Sequence, residues 1–115
     1  MTKKKRVIKE IKARCYRYEI IFQYEADEDH GKTDSTEKVI YINTRYPAQV
    51  QRETLFHEIM HVAFEDCAYF GKDDYKAGDQ EEDIIRYGSP ILVQIFQDNA
   101  WLQRFIFDQL DLDDV

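Results

Sequence analysis

Between Pro47 and Gly71 the chain reads AQVQRETLFHEIMHVAFEDCAYF, with neither proline nor glycine to interrupt it. No other segment constrains the fold as strongly. It predicts one long helix, opened by Pro47 in the first turn and closed by Gly71 as a C-terminal cap. Leu55, Ile59 and Val62 recur at helical spacing and form its apolar side. The same run carries His57, Glu58 and His61. Residues four apart lie on one helix face, one turn up, so the two imidazoles can meet one ion. Glu58 is one step round, within reach of a water on that ion. A zinc ion so held brings the pKa of a bound water toward about 7. A glutamate beside it can take that proton and pass it to a leaving amine. The pattern predicts a metallohydrolase site, with His57 and His61 as ligands and Glu58 as general base and acid.

A catalytic zinc site needs three protein ligands and an open position. The chain has three histidines, and none follows His61. A distal histidine ligand is excluded unless His30 folds back. His30 lies in the polar run DEDHGK, where a solvated histidine is expected. Cys67 falls on another side of the same helix and reads as a core cysteine. Glu65 and Asp66 follow on that helix too and are poorly placed to bend round to the ion. A carboxylate from the next helix remains. Glu82 precedes Ile85 by three residues, Ser89 by seven and Leu92 by ten, the phase expected to face the core; Glu81 is rotated by about 100°. Glu82 has a structural alternative. Asp79 to Glu82, DQEE, is also a capping-box pattern, in which Glu82 bonds back to the Asp79 backbone N–H. The want of a third donor ranks ligation ahead of capping. Two softer candidates are Tyr87, as a donor to a developing oxyanion, and Thr54, as an orienting neighbour of His57. A packed or surface tyrosine, and a helix-face threonine without a role, are the simpler expectations.

The flanking segments set the fold class. CYRYEIIFQYE alternates, with Tyr16, Tyr18, Ile20, Phe22 and Tyr24 on one face of a strand. RVIKEIKAR before it fits either a short helix or a strand pairing with the next one. ADEDHGKTDST reads as a polar loop, and KVIYINT as another strand carrying Val39, Ile40 and Ile42. After the loop GKDDYKAGD, a helix is expected from an Asp79 cap to about residue 97. Pro90 interrupts it, but Ile85, Leu92, Ile95 and Phe96 keep one phase, favouring a kinked single helix over a fresh start at Ser89. DNAWLQRFIFDQL closes the chain as a short helix with Trp101, Leu102, Phe105 and Ile106 inward. Strands first and helices after make a single α+β domain over residues 1–115. It comprises a small N-terminal antiparallel sheet, the HExxH helix, a glutamate-bearing helix and a short C-terminal helix.

Composition narrows the function classes. Hydrophobic residues make up 43%, with 8 Tyr and 7 Phe, enough for a core and against global disorder. A net charge of −7 weighs against generic nucleic-acid binding. Residues 1–17 nevertheless hold eight cations and one anion, leaving −14 on the rest of the chain. That start reads as a solvated arm or strand face complementing the chain's own acidic surface. No apolar signal region follows it, and no run approaches the roughly 18 apolar residues of a membrane helix. A cytoplasmic protein without a membrane partner is expected. Cys15 and Cys67 form no CxxC pair, so they are expected to be buried thiols rather than a disulfide or a zinc finger.

TLFHEIMH followed by EDIIRYGSPILVQIFQDN resembles the small phage-type relatives of the ImmA/IrrE metallopeptidases, a minimal gluzincin fold. The resemblance runs from about Val39 to Phe107. It implies a sheet ahead of the HExxH helix and a second helix supplying a glutamate ligand. It also implies an Asp-Asn pair near the end of that helix, before a last short one. Matching Asp98-Asn99 to the pair places the ligand at Glu82. Pro90 inside the ligand helix is a departure. The resemblance implies zinc as cofactor, peptide-bond hydrolysis on a protein or peptide substrate, and a phage or mobile-element origin.

Overall fold

Valine and isoleucine set among lysines settle the ambiguous first segment: Val7–Ala13 is a strand, β1, and not a helix. The computed structural model describes the backbone of residues 6–68, 77–108 and 110–112, and the side chains of these outside residues 65–84. β1 turns through Arg14 and Cys15 into β2, Tyr16–Gln23, with Ala13 opposite Tyr16 and Val7 opposite Phe22. Arg14 takes φ 62°, the left-handed geometry that two-residue hairpin loops use. The turn leaves Cys15 exposed, correcting its expectation as a buried thiol. The Cys67 side chain lies outside the described residues.

Ile11, Ala13, Tyr18, Ile20 and Phe22 face the helices and are buried. The expected alternation fails at both ends of its run. Tyr16 and Tyr24 are exposed, while Ile21 is buried on the opposite face. Ile21 is flanked in register there by Ile8 and Tyr41.

The segment expected to be all loop contains a strand, β3, Gly31–Asp34, and it is followed by β4, Val39–Asn43. The strand order is β1-β2-β4-β3. β4 runs antiparallel to β3 but parallel to β2, so the sheet is mixed rather than wholly antiparallel. Composition gives the reason. VIYIN carries the apolar side chains that suit an interior strand, and GKTD carries none. The β3–β4 hairpin therefore docks with β4 inward and polar β3 at the edge. GKTD escaped hydrophobic periodicity because it offers nothing apolar to count.

The long helix, α1, is Ala48–Ala68. Pro47 stands just ahead of it, its carbonyl accepting from the Gln51 N–H at 3.0 Å; Gly71, the expected cap, lies outside the described residues. Leu55, Ile59, Val62 and Ala63 share one core with Ile20, Phe22, Ile40 and Ile42 of the sheet. Two helices follow, α2 (Ala77–Asp98) and α3 (Ala100–Phe107). α2 is a single helix through Pro90, as expected in preference to a fresh start at Ser89, and starts two residues before Asp79. Its inward line differs from the expected one. Gly88 and Ile95 are buried, whereas Ile85 is 52% exposed and Ser89 is exposed. Gly88 decides how closely α2 approaches α1: a Cβ there would lie 1.8 Å from Cδ1 of Phe64.

Two buried polar side chains fasten α3. Asn99, at the α2–α3 joint, accepts from the Lys12 backbone N–H at 2.9 Å. Its Nδ2 donates to the carbonyls of Lys12 at 2.8 Å and Ile95 at 2.7 Å. The Trp101 indole donates to the Glu10 carbonyl. Together they cover the free edge of β1, whose backbone groups otherwise lack a strand partner. Arg52 of α1 donates to the carbonyls of Phe105 at 3.0 Å and Leu110 at 3.2 Å, satisfying acceptors at the end of α3. Leu102 and Phe105 are buried, and Phe105 meets Phe22 edge-to-face at 5.5 Å. Among the described residues no helix is long and apolar enough to cross a membrane.

Candidate metal centre

One face of α1 stays open. Ile59 is fully buried, but His57 and His61, two residues to either side, are exposed. Their Nε2 atoms stand 3.1 Å apart, and the rings lie nearly perpendicular, at 82°. Two imidazole nitrogens each about 2.0–2.1 Å from one tetrahedral ion would stand about 3.3 Å apart. The pair therefore has close to the spacing that shared ligation requires, set by helix geometry alone.

Glu58 sits where α1 meets the sheet edge. It is 7% exposed and accepts a 2.6 Å hydrogen bond from the Thr33 hydroxyl on β3. A groove of about 410 Å³ opens beside it, lined by His30, Gly31, Val50, Glu53, Thr54, His57 and Glu58. Gly31 permits the close approach of β3 to α1. A Cβ there would lie 2.6 Å from the Tyr41 carbonyl oxygen and 2.8 Å from Thr54 Cγ2. Thr54 is buried between strand and helix, a packing role where a helix-face threonine without a role is the simpler expectation.

The loop before β3 forms the rim and is held firmly. The buried Asn43 side chain accepts from the N–H groups of Glu25 and Arg45 and donates to the Asp29 carbonyl. Arg45 donates to the carbonyls of Ala26 and Asp27, and the Tyr46 hydroxyl to that of Glu28. His30 packs its ring edge-on to Tyr46 at 4.3 Å. It lines the groove without joining the histidine pair. Among the described residues no group of three His, Cys, Asp or Glu side chains is placed to hold a metal.

The side chains of Glu82, Glu81, Glu65 and Asp66 lie outside the described residues. Tyr87 is half exposed on α2 and does not line the groove. Sequence reasoning missed Thr33 and Gly31. GKTD carries no apolar residue to mark it as a strand, and its pairing with VIYIN exists only in the assembled sheet.

A mixed sheet backed by a helix that presents HExxH to an open groove defines a metallopeptidase-like domain. The family profile of the IrrE N-terminal-like domain, a peptidase family, matches residues 19–92, well over half of the chain, and the chain belongs to that family. That span runs from β2 to the middle of α2 and includes His57, Glu58, His61 and both candidate glutamates. Neither the curated proteins nor the solved structures provide a match.

Proposed function

We propose that this domain is a zinc-dependent metallopeptidase of phage or mobile-element origin, acting in the cytoplasm on a protein or peptide. The observation that carries the reading is the histidine pair, Nε2 to Nε2 at 3.1 Å, next to a buried, hydrogen-bonded Glu58 that lines one groove with His57. His57 and His61 hold the metal through Nε2. A glutamate from the start of α2 completes the set; counting back from Asp98-Asn99, which lie beyond the matched residues 19–92, favours Glu82. The helix-phase argument for Glu82 rested on Ile85, Ser89 and Leu92 facing inward; Leu92 packs against the core, but Ile85 and Ser89 are exposed. Glu81 stands two turns before the buried Gly88, so the pair has to be separated by substitution. The capping alternative weakens, because α2 begins at Ala77, ahead of Asp79.

Zinc, when bound, supplies a Lewis acid that makes a water nucleophilic near neutral pH. Glu58 has Oε1 hydrogen-bonded to Thr33, and Oε2, which accepts no side-chain hydrogen bond among the described residues, takes the proton of the attacking water. It then returns that proton to the leaving amine. The rim around His30 and the wall of α1 bound the groove in which a substrate segment would lie.

Zinc content of the purified chain tests the assignment. One equivalent is expected in the wild type, with loss in His57→Ala, His61→Ala and Glu82→Ala. Zinc retained in Glu82→Ala but lost in Glu81→Ala moves the third ligand by one residue. Glu58→Gln should keep zinc and lose hydrolysis. A second reading is a non-catalytic metal-containing interaction module of a phage or host regulatory system. It draws on a second groove of about 390 Å³, largely apolar, among Phe56, Leu92, Phe96 and Phe107. It prevails if zinc binds stoichiometrically and no peptide is cleaved.

A further inference from the structure

The Thr33–Glu58 hydrogen bond ties the proposed base to a strand that the motif does not contain. Its geometry follows from the sheet. Thr33 pairs with Ile40 across the β3–β4 ladder, and Ile40 is fully buried beneath the helices. Directly opposed residues share a face, so Thr33 is turned toward α1. Lys32, one residue earlier, falls on the other face, over the Tyr41 ring. Gly31 lets the strand come close enough for the hydroxyl to reach Glu58 Oε1 at 2.6 Å.

A glutamate has three side-chain torsions, and an unsupported one samples many carboxylate positions. Glu58 cannot be fixed by His57 or His61 if these are committed to a metal. Among the described contacts, the side-chain hydrogen bond that Glu58 accepts comes from Thr33. Hydrogen bonds to charged groups are short and among the stronger ones in proteins, and the O–H···O separation here lies in that range.

We infer that Thr33 is a positioning residue for Glu58: its hydroxyl fixes one carboxylate oxygen so that the other is presented to the water that attacks the substrate. The inference rests on the peptidase reading above. It places part of the catalytic geometry on the polar edge strand β3, so that β3 acts in the reaction as well as in the fold. Thr33 acts only through Glu58.

The test uses the zinc-loaded full chain and a pool of internally quenched fluorescent peptides of randomised sequence. Thr33→Val keeps shape and strand propensity but removes the donor. It should lower kcat by about tenfold or more, the scale of a lost hydrogen bond to a charged group, with KM and zinc content unchanged. Thr33→Ser, which keeps the hydroxyl, should restore most of kcat. A purely structural role would move stability or KM, and serine would not rescue kcat selectively. Should Thr33→Val turn over at the wild-type rate while Glu58→Gln is inactive, the inference falls and the peptidase reading stands. Should Glu58→Gln match the wild type, or the wild type leave the pool intact, the peptidase reading itself falls and the inference with it.

Discussion

The two sides of α1 carry buried polar groups of opposite kinds. Toward α3, Arg52 spends its hydrogen-bonding groups on backbone carbonyls, as Asn99 at the α2–α3 joint does on the backbone of β1 and α2. Toward β3, Glu58 accepts from Thr33 and still lines an open groove, next to two exposed histidines. The first arrangement closes a structure; the second holds chemical capacity in reserve. A buried polar group left without partners costs stability, so groups kept for chemistry sit where water or a ligand can complete them. On the proposed reading, stability and function fall on different faces of one helix.

Substitutions should separate the two faces, starting with the largest effect. Asn99→Leu removes three hydrogen bonds and leaves Lys12 N–H and C=O unpaired at the sheet edge. Urea unfolding should show a loss of about 2–4 kcal/mol, with zinc uptake preserved in the fraction that folds. Arg52→Ala strips the acceptors at the end of α3 and should cost about 2–3 kcal/mol by the same measurement. Gly88→Ala pushes a methyl group into Phe64 and should cost about 1–3 kcal/mol as α2 shifts away from α1. His57→Ala and His61→Ala, unfolded in the presence of a chelator, should lie within about 0.5 kcal/mol of the wild type, since both side chains are exposed. Either histidine variant losing as much as Asn99→Leu under those conditions would break the distinction between the faces. A wild type whose melting temperature rises with zinc, while both variants stay unmoved, would sharpen it.

The Phe56, Phe96 and Phe107 cluster belongs fully to neither side. The three rings meet at centroid distances of 5.3–6.2 Å, yet Phe107 is 60% exposed. Phe56 adjoins His57 in sequence, so packing at this cluster bears on the angle at which α1 presents its histidines. α1 therefore has apolar contacts on two sides, the sheet and α2. This explains why its sequence shows no single clean stripe, although Leu55, Ile59 and Val62 were legible as its inner line.

What the sequence determined by itself is local. The breaker-free run after Pro47 fixed α1, and the four-residue spacing fixed the His57–His61 pair and the position of Glu58, because helix geometry needs nothing beyond its own period. Alternation found β2, apolar content found β4, and the apolar residues that follow Pro90 marked α2 as one helix, although Ile85 does not share their inward face. The tertiary structure decided what depends on partners far along the chain. It put polar β3 at the edge and β4 inside, since only the assembled sheet has an edge. It turned Gly88 rather than Ile85 inward, since the place where α1 and α2 touch is set by Phe64. It brought Thr33 to Glu58 across 25 residues of sequence. No periodicity encodes that contact, because a hydroxyl and a carboxylate meeting across two elements leave no repeat in either.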